Sequence, residues 1–408
     1  MKALLLALAT LISSSLGAPH FSPYTHDSGL FALSEATSQQ SGEVSAEVKS
    51  LIEKLTSSIA SERAAAACRL GELKATAAIP ALVKLLADDT EVIQPVCGDK
   101  SGWGDAGNPN KTTPGEVAAV ALSRMGRQAV EPLIGALKAD AWPARSNAAY
   151  GLGLIKDERS VEPLIAATKD AAWQVRARAA WSLGLVGDSR SIQPLLIALQ
   201  DTEEKVRTQA AWALGLKGDD SAVEGLIRAL SDSSSKVQTQ AAWALGLKGD
   251  SRAVEPLMAA LSNSDANVRT QAAWALGLKG DARAVEGLSA ALNDSNSKVQ
   301  AQAAWALGLK GNSRAIEPLT IALRSSDPYV RAQAAWALGL KGDSRAVEPL
   351  IAALRDNDAD VRRQAAWALG LKGDQRAIEP LRSALNDQDA EVRKQAEWAL
   401  GMRRMQEQ

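Results

Sequence analysis

Apolar and polar positions recur along this chain with a period of 31 residues, and residues 251–280 show the unit. "SRAVEPLMAAL" carries apolar residues at helical spacing, "SNSD" is a turn, and "ANVRTQAAWALGLK" is a second, longer helix that Gly280 stops. Turning the longer helix by about 100° per residue gathers Val268, Ala272, Ala275 and Leu276 on the side that faces the first helix. Trp274 lies far round from them, next to Thr270 and Leu278, while the small residues Ala273 and Gly277 border the opposite flank. Pro256 requires the first helix to begin near Arg252, so that its missing N–H falls in the first turn. Gly280 is expected to adopt the left-handed conformation beyond the helix end, with Lys279 beside the negative terminus.

Trp181, Trp212, Trp243, Trp274, Trp305, Trp336, Trp367 and Trp398 mark the same place in successive units. Tyr150 extends the series upstream, and Val120 and Cys68 hold its place in more diverged copies. A two-helix unit this short buries no apolar face alone, whereas stacked copies do. The pattern predicts an all-α solenoid of about eleven helix pairs over residues 46–405, preceded by a polar lead segment at 18–45.

"VRTQAAWALGLKGDARAVEGL" (268–288) resembles the HEAT-like repeats of phycobilin lyase subunits, and the resemblance extends from about residue 60 to 403. It implies a scaffold, and its enzymatic form would be a bilin-lyase-like subunit. Deoxyhypusine hydroxylases are similar as well, but the iron sites implied there use His-Glu pairs inside the repeats. This chain has only His20 and His26, both outside the array, so that activity does not carry over.

The tryptophans have two readings, packing between repeats and contact with a ligand. The small flank suggests that one repeat's indole lies over the Ala and Gly of its neighbour. In the last unit Glu397 replaces the alanine, as suits a flank with no following neighbour, so each Trp is expected to lean back onto the preceding repeat. The alternative is a ladder of indoles, from Tyr150 and Trp181 to Trp398, that recognises a glycan or a Pro-rich peptide. Armadillo repeats, which the Trp placement resembles, set an Asn four residues later; here Leu216, Leu247, Leu278, Leu309, Leu340 and Leu371 stand there. Gln209, Gln240, Gln271, Gln302, Gln333, Gln364 and Gln395 are nearby substitutes or simply solvated flank residues.

From Cys68 to Val120 the period lengthens by 21 residues. The insertion lies at about 93–115, and long irregular loops in compact arrays commonly carry contacts, which makes Trp103 a candidate partner-binding residue. "TPGE" (113–116) reads as a capping box, with Glu116 reaching back. Asp99, Asp105, Asn108 and Asn110 fit no EF-hand spacing. Cys68 and Cys97 are either a disulfide or two free thiols. Trp142 and Trp173 are expected in turns between paired helices.

Charge changes the picture little: 46 basic against 47 acidic residues leave no nucleic-acid footprint. The first 17 residues have Lys2, a short apolar run and then small residues, the layout of a secretory signal and too short for a membrane span. An exported, periplasmic or extracellular product is expected. Nucleophilic catalysis and zinc sites lack histidines in the array, acidic residues serve as caps, and no strands are expected. The chain therefore reads as a non-catalytic protein-binding scaffold without cofactor or metal.

Overall fold

The computed structural model describes residues 44–93 and 111–406, which belong to a unit separate from Met1–Glu43. The described residues hold 22 α-helices in eleven short–long pairs, from Ala46–Lys54 with Ala60–Glu72 to Ile378–Ala384 with Ala390–Gln406. The type unit is a 3-10 turn Ser251–Ala253, a short helix Val254–Ala260 and a long helix Ala266–Lys279. Asp250 caps the turn by accepting the Arg252 amide at 2.9 Å, and Asp265 caps the long helix through the Asn267 amide. Pro256 sits in the first turn of Val254–Ala260, where no amide partner is missed.

Val268, Ala272, Ala275 and Leu276 are fully buried, as are Val254 and Leu257 across from them. Each long helix also packs against the long helices of both neighbouring repeats, so the stack is continuous. Ala60–Glu72 packs directly on Pro114–Arg124, so the stack of long helices is continuous across this longer interval of sequence.

The expected left-handed cap is not what ends most long helices. Gly280 has φ −60° and ψ 161°, and Gly187, Gly218, Gly249 and Gly311 are alike. Of the glycines that follow long helices, Gly126 and Gly373 take a positive φ, at 66° and 60°. Glycine is required at Gly280 for space: a Cβ there would collide with the Leu276 carbonyl oxygen and meet Ala284 Cβ at 3.1 Å. The expectation of no strands also needs correction. β1 (Val92–Ile93) and β2 (Lys111–Thr112) pair antiparallel at the root of the insertion, where the chain leaves and returns side by side. Trp142 and Trp173 open the long helices Trp142–Ile155 and Trp173–Val186 rather than standing in turns.

Candidate functional site

The direction of the tryptophans is set by glycine. A Cβ on Gly246 would meet Trp274 Cζ3 at 2.5 Å and Cε3 at 2.8 Å, so the indole of one repeat lies on the glycine of the repeat before it. Trp212 on Gly184, Trp243 on Gly215, Trp336 on Gly308 and Trp398 on Gly370 repeat the contact, while Gly401, in the last described repeat, meets nothing within 4 Å. Glu397 is exposed on that last flank, where Ala366 in the preceding unit is fully buried. Alanine in place of a helical glycine ordinarily adds about 1 kcal/mol. Gly246→Ala is instead expected to cost about 1–3 kcal/mol by overpacking, and Gly401→Ala to give the ordinary gain. Urea unfolding followed by circular dichroism reads both.

Packing does not hide the rings uniformly. Tyr150, Trp181 and Trp305 are buried, Trp212, Trp243, Trp274, Trp336 and Trp367 are half-buried, and Trp398 is 37% exposed. On the same helices Leu216, Leu340 and Leu371 are exposed, and the Gln column from Gln209 to Gln395 is half-buried except for the buried Gln302. The long helices thus present Trp, Gln and Leu side by side, with the last full-length lysines turned inward. Lys341 Nζ donates to the Gly311 carbonyl at 2.9 Å and Lys372 Nζ to that of Asp343 at 3.0 Å, capping the preceding repeat's helix end. Burial holds both ammonium groups below the usual lysine range.

Near the insertion this column changes character. Asn147 and Arg178 take the glutamine place, three residues before Tyr150 and Trp181, a register equivalence legible in the sequence but not drawn from it. Arg178 lies 4.5 Å from the Tyr150 ring centroid and donates to the Glu116 carboxylate. Tyr150 and Trp181 stand 5.3 Å apart at 44°, and Trp181 stacks on Trp212 at 6.3 Å and 10°. Thr113 caps its helix by accepting the Glu116 amide at 3.1 Å, but the Glu116 carboxylate takes the Thr112 hydroxyl and Arg178 instead of reaching back to the cap. Asn147 Nδ2 donates to the Leu86 carbonyl at 2.9 Å across the insertion. Trp142 is 39% exposed, and the Lys205 ammonium sits 5.0 Å from the Trp173 ring centroid.

Cys68 is buried and disulfide-bonded. Cys97, the chain's other cysteine, lies outside the described residues, as do Trp103, Asp99, Asp105, Asn108, Asn110, His20, His26 and the whole of 1–43. Among the described residues no group of three or more His, Cys, Asp or Glu is placed to hold a metal ion, and no helix is long and apolar enough to cross a membrane.

A second ladder, missed in the sequence, joins the repeats. Arg269 Nε and Nη2 donate to both carboxylate oxygens of Asp294, 25 residues on, at 2.7 and 2.8 Å. Its Nη1 donates to the carbonyls of Asn263 and Ser264 in its own turn at 2.8 and 3.0 Å. Arg63–Asp88, Arg145–Asp170, Arg176–Asp201, Arg207–Asp232, Arg331–Asp356 and Arg362–Asp387 repeat the pairing, all largely buried.

Stacked helix pairs joined in this way define an α-solenoid of helical-hairpin repeats. The profile described as HEAT repeats matches seven overlapping stretches from residue 115 to 408, and the PBS lyase HEAT-like repeat matches 62–88; the chain belongs to the HEAT-repeat family. It is similar to importin beta at 16% identity over 88% of this chain and 55% of that one, with a TM-score of 0.56. The Kap95:Nup1 complex is similar at 16% identity, with 88% and 57% covered and a TM-score of 0.55. Human deoxyhypusine hydroxylase in complex with glycerol is similar at 26% identity, with 68% and 96% covered and a TM-score of 0.29. The likenesses to importin beta and Kap95 carry the fold alone. The chain spans little more than half the length of the importin beta and Kap95 chains. No curated protein matches the sequence.

Proposed function

We propose that the chain is a non-catalytic scaffold that binds a partner protein on the concave side of the array, along the Trp-Gln-Leu face of its long helices. A HEAT-repeat solenoid supports protein interaction in general. The observation that carries the choice of face is the half-buried indole beside glutamine and leucine in five repeats, at Trp212, Trp243, Trp274, Trp336 and Trp367, with Leu216, Leu340 and Leu371 exposed. Aromatic and apolar side chains flanked by amides make a surface that gains from burial and still satisfies a peptide backbone. Ring faces turned onto glycine, and onto one another at Trp181 and Trp212, are poor open platforms for a sugar, which favours a protein over a glycan. A photoreactive residue placed at Gln240, Gln271 or Gln333, in cells that natively make the chain, is expected to crosslink one partner. The same residue at Glu224, Glu255 or Glu348 on the short helices is expected to give no adduct. Equal adducts from both faces, or none from the first, would refute the assignment.

The same reading places the chain outside the cytoplasm, with residues 1–17 as the export signal. The Lys2-plus-apolar leader and the bonded state of Cys68 support it. The mature protein is expected to begin at Ala18 and to carry a Cys68–Cys97 disulfide. Intact mass before and after reduction and alkylation tests both: two alkyl groups added without reductant would remove the disulfide, and an uncleaved Met1 the leader.

A further inference from the structure

The ladder between repeats is not uniform. At two seams the arginine is replaced by glutamine, and in both the partner 25 residues on is neutral as well. Gln238 Oε1 accepts from Asn263 Nδ2 at 2.8 Å, and Gln300 Oε1 accepts from the Ser325 hydroxyl at 3.3 Å. Both glutamines still donate through Nε2 to their own turn, at the Asp232 and Asp294 carbonyls. What they lose is the charged rung itself: one neutral hydrogen bond stands where Arg269–Asp294 has two charge-assisted ones, each roughly twice as strong. Ser235 on Asp265, Ser297 on Asp327 and Lys341 Nζ on the Gly311 carbonyl still cross these seams. The apolar contacts across these seams are those of their neighbours, Trp274 on Gly246 and Trp336 on Gly308.

We propose that the array bends at these two seams, between Ser235–Lys248 and Ala266–Lys279 and between Ser297–Lys310 and Pro328–Leu340, leaving Ala266–Lys310 as a stapled two-repeat block between two hinges. In a solenoid each interface is held by its nearest neighbours, so a weaker seam opens on its own. Bending there changes the separation of Trp243 from Trp274 and of Trp305 from Trp336, while Trp274 and Trp305 move together.

Hydrogen exchange read by mass spectrometry tests this on the full chain. Residues 249–265 and 311–327 span the two neutral seams, and 280–296, of nearly the same sequence, spans the charged one between them. The outer two segments are expected to exchange about tenfold faster than the middle one, the ratio that about 1.4 kcal/mol produces. Fraying from an end gives a steady gradient instead and would overturn the proposal. Gln238→Arg with Asn263→Asp copies the neighbouring unit, so it retains the fold, and it is expected to slow 249–265 to the rate of 280–296. Arg269→Gln with Asp294→Asn is expected to speed 280–296 by the same factor. Rates that ignore either exchange would remove the hinge.

Discussion

Trp274→Ala is expected to destabilise the chain by about 3 kcal/mol, the low end for loss of a large aromatic because the indole is half-buried. The lost contact spans two repeats: the ring covers Gly246, whose absent Cβ leaves the space it fills, and its neighbour Ala275 lies on the same glycine. Unlike a deletion in a compact core, this one weakens a single seam, so the urea transition should broaden as well as shift. Trp398→Ala is the internal control. That ring makes the same contact with Gly370 but is 37% exposed, so a smaller cost of about 1–2 kcal/mol is expected. Equal costs at both positions would mean that the deeper burial of Trp274 contributes nothing beyond the glycine contact the two rings share.

Asp294→Ala is expected to cost about 3 kcal/mol, whereas Arg269→Gln with Asp294→Asn together cost about 1.4 kcal/mol. The single change leaves a largely buried guanidinium facing no carboxylate, and that penalty exceeds the value of the pair itself. The pH dependence has a definite sign. Burial pushes the Asp294 carboxyl up, but the hydrogen bonds from Arg269 and the Asn296 amide outweigh it and hold the group below the usual aspartate range. Its stabilisation is therefore complete above the unfolded value of about 4 and is lost as pH falls through the lower folded value. The difference between wild type and Asp294→Ala in urea unfolding should thus be full at pH 7 and shrink as pH falls below about 4.

The fold was legible because its periodicity is carried by apolar residues. Val268, Ala272, Ala275 and Leu276 recur every 31 positions, and Glu397 betrayed which flank faces the following repeat. The staple was legible in principle: an Arg five residues before six of the eight repeat Trp, an Asp 25 residues after five of those Arg, and the joint exchanges of Gln238 with Asn263 and Gln300 with Ser325. It went unread because each half, taken alone, resembles an ordinary solvated charge or a turn residue. Gly280 misled for a related reason. Helix-end glycines usually answer to backbone torsion, and this one answers to the Leu276 carbonyl and Ala284, a constraint visible only once the next short helix is in place. The candidate face was partly legible, since the Trp column was evident, but the Arg178–Glu116 contact crosses 62 residues and no local pattern announces it.

The matched staples also govern how such a chain changes length. Copies between 209 and 374 are nearly interchangeable, so duplication or loss of one unit by recombination would seem free. It is not. Losing 239–269 sets Gln238 against Asp294, and losing 270–300 sets Arg269 against Ser325; each strands one charge in a closed seam. Losing 239–300 as one piece joins Gln238 to Ser325, two neutral partners. Between Arg207 and Arg331, where arginine and glutamine alternate, the hydrogen-bonding partners thus act as a grammar for copy number, under which the array changes more readily by two units than by one.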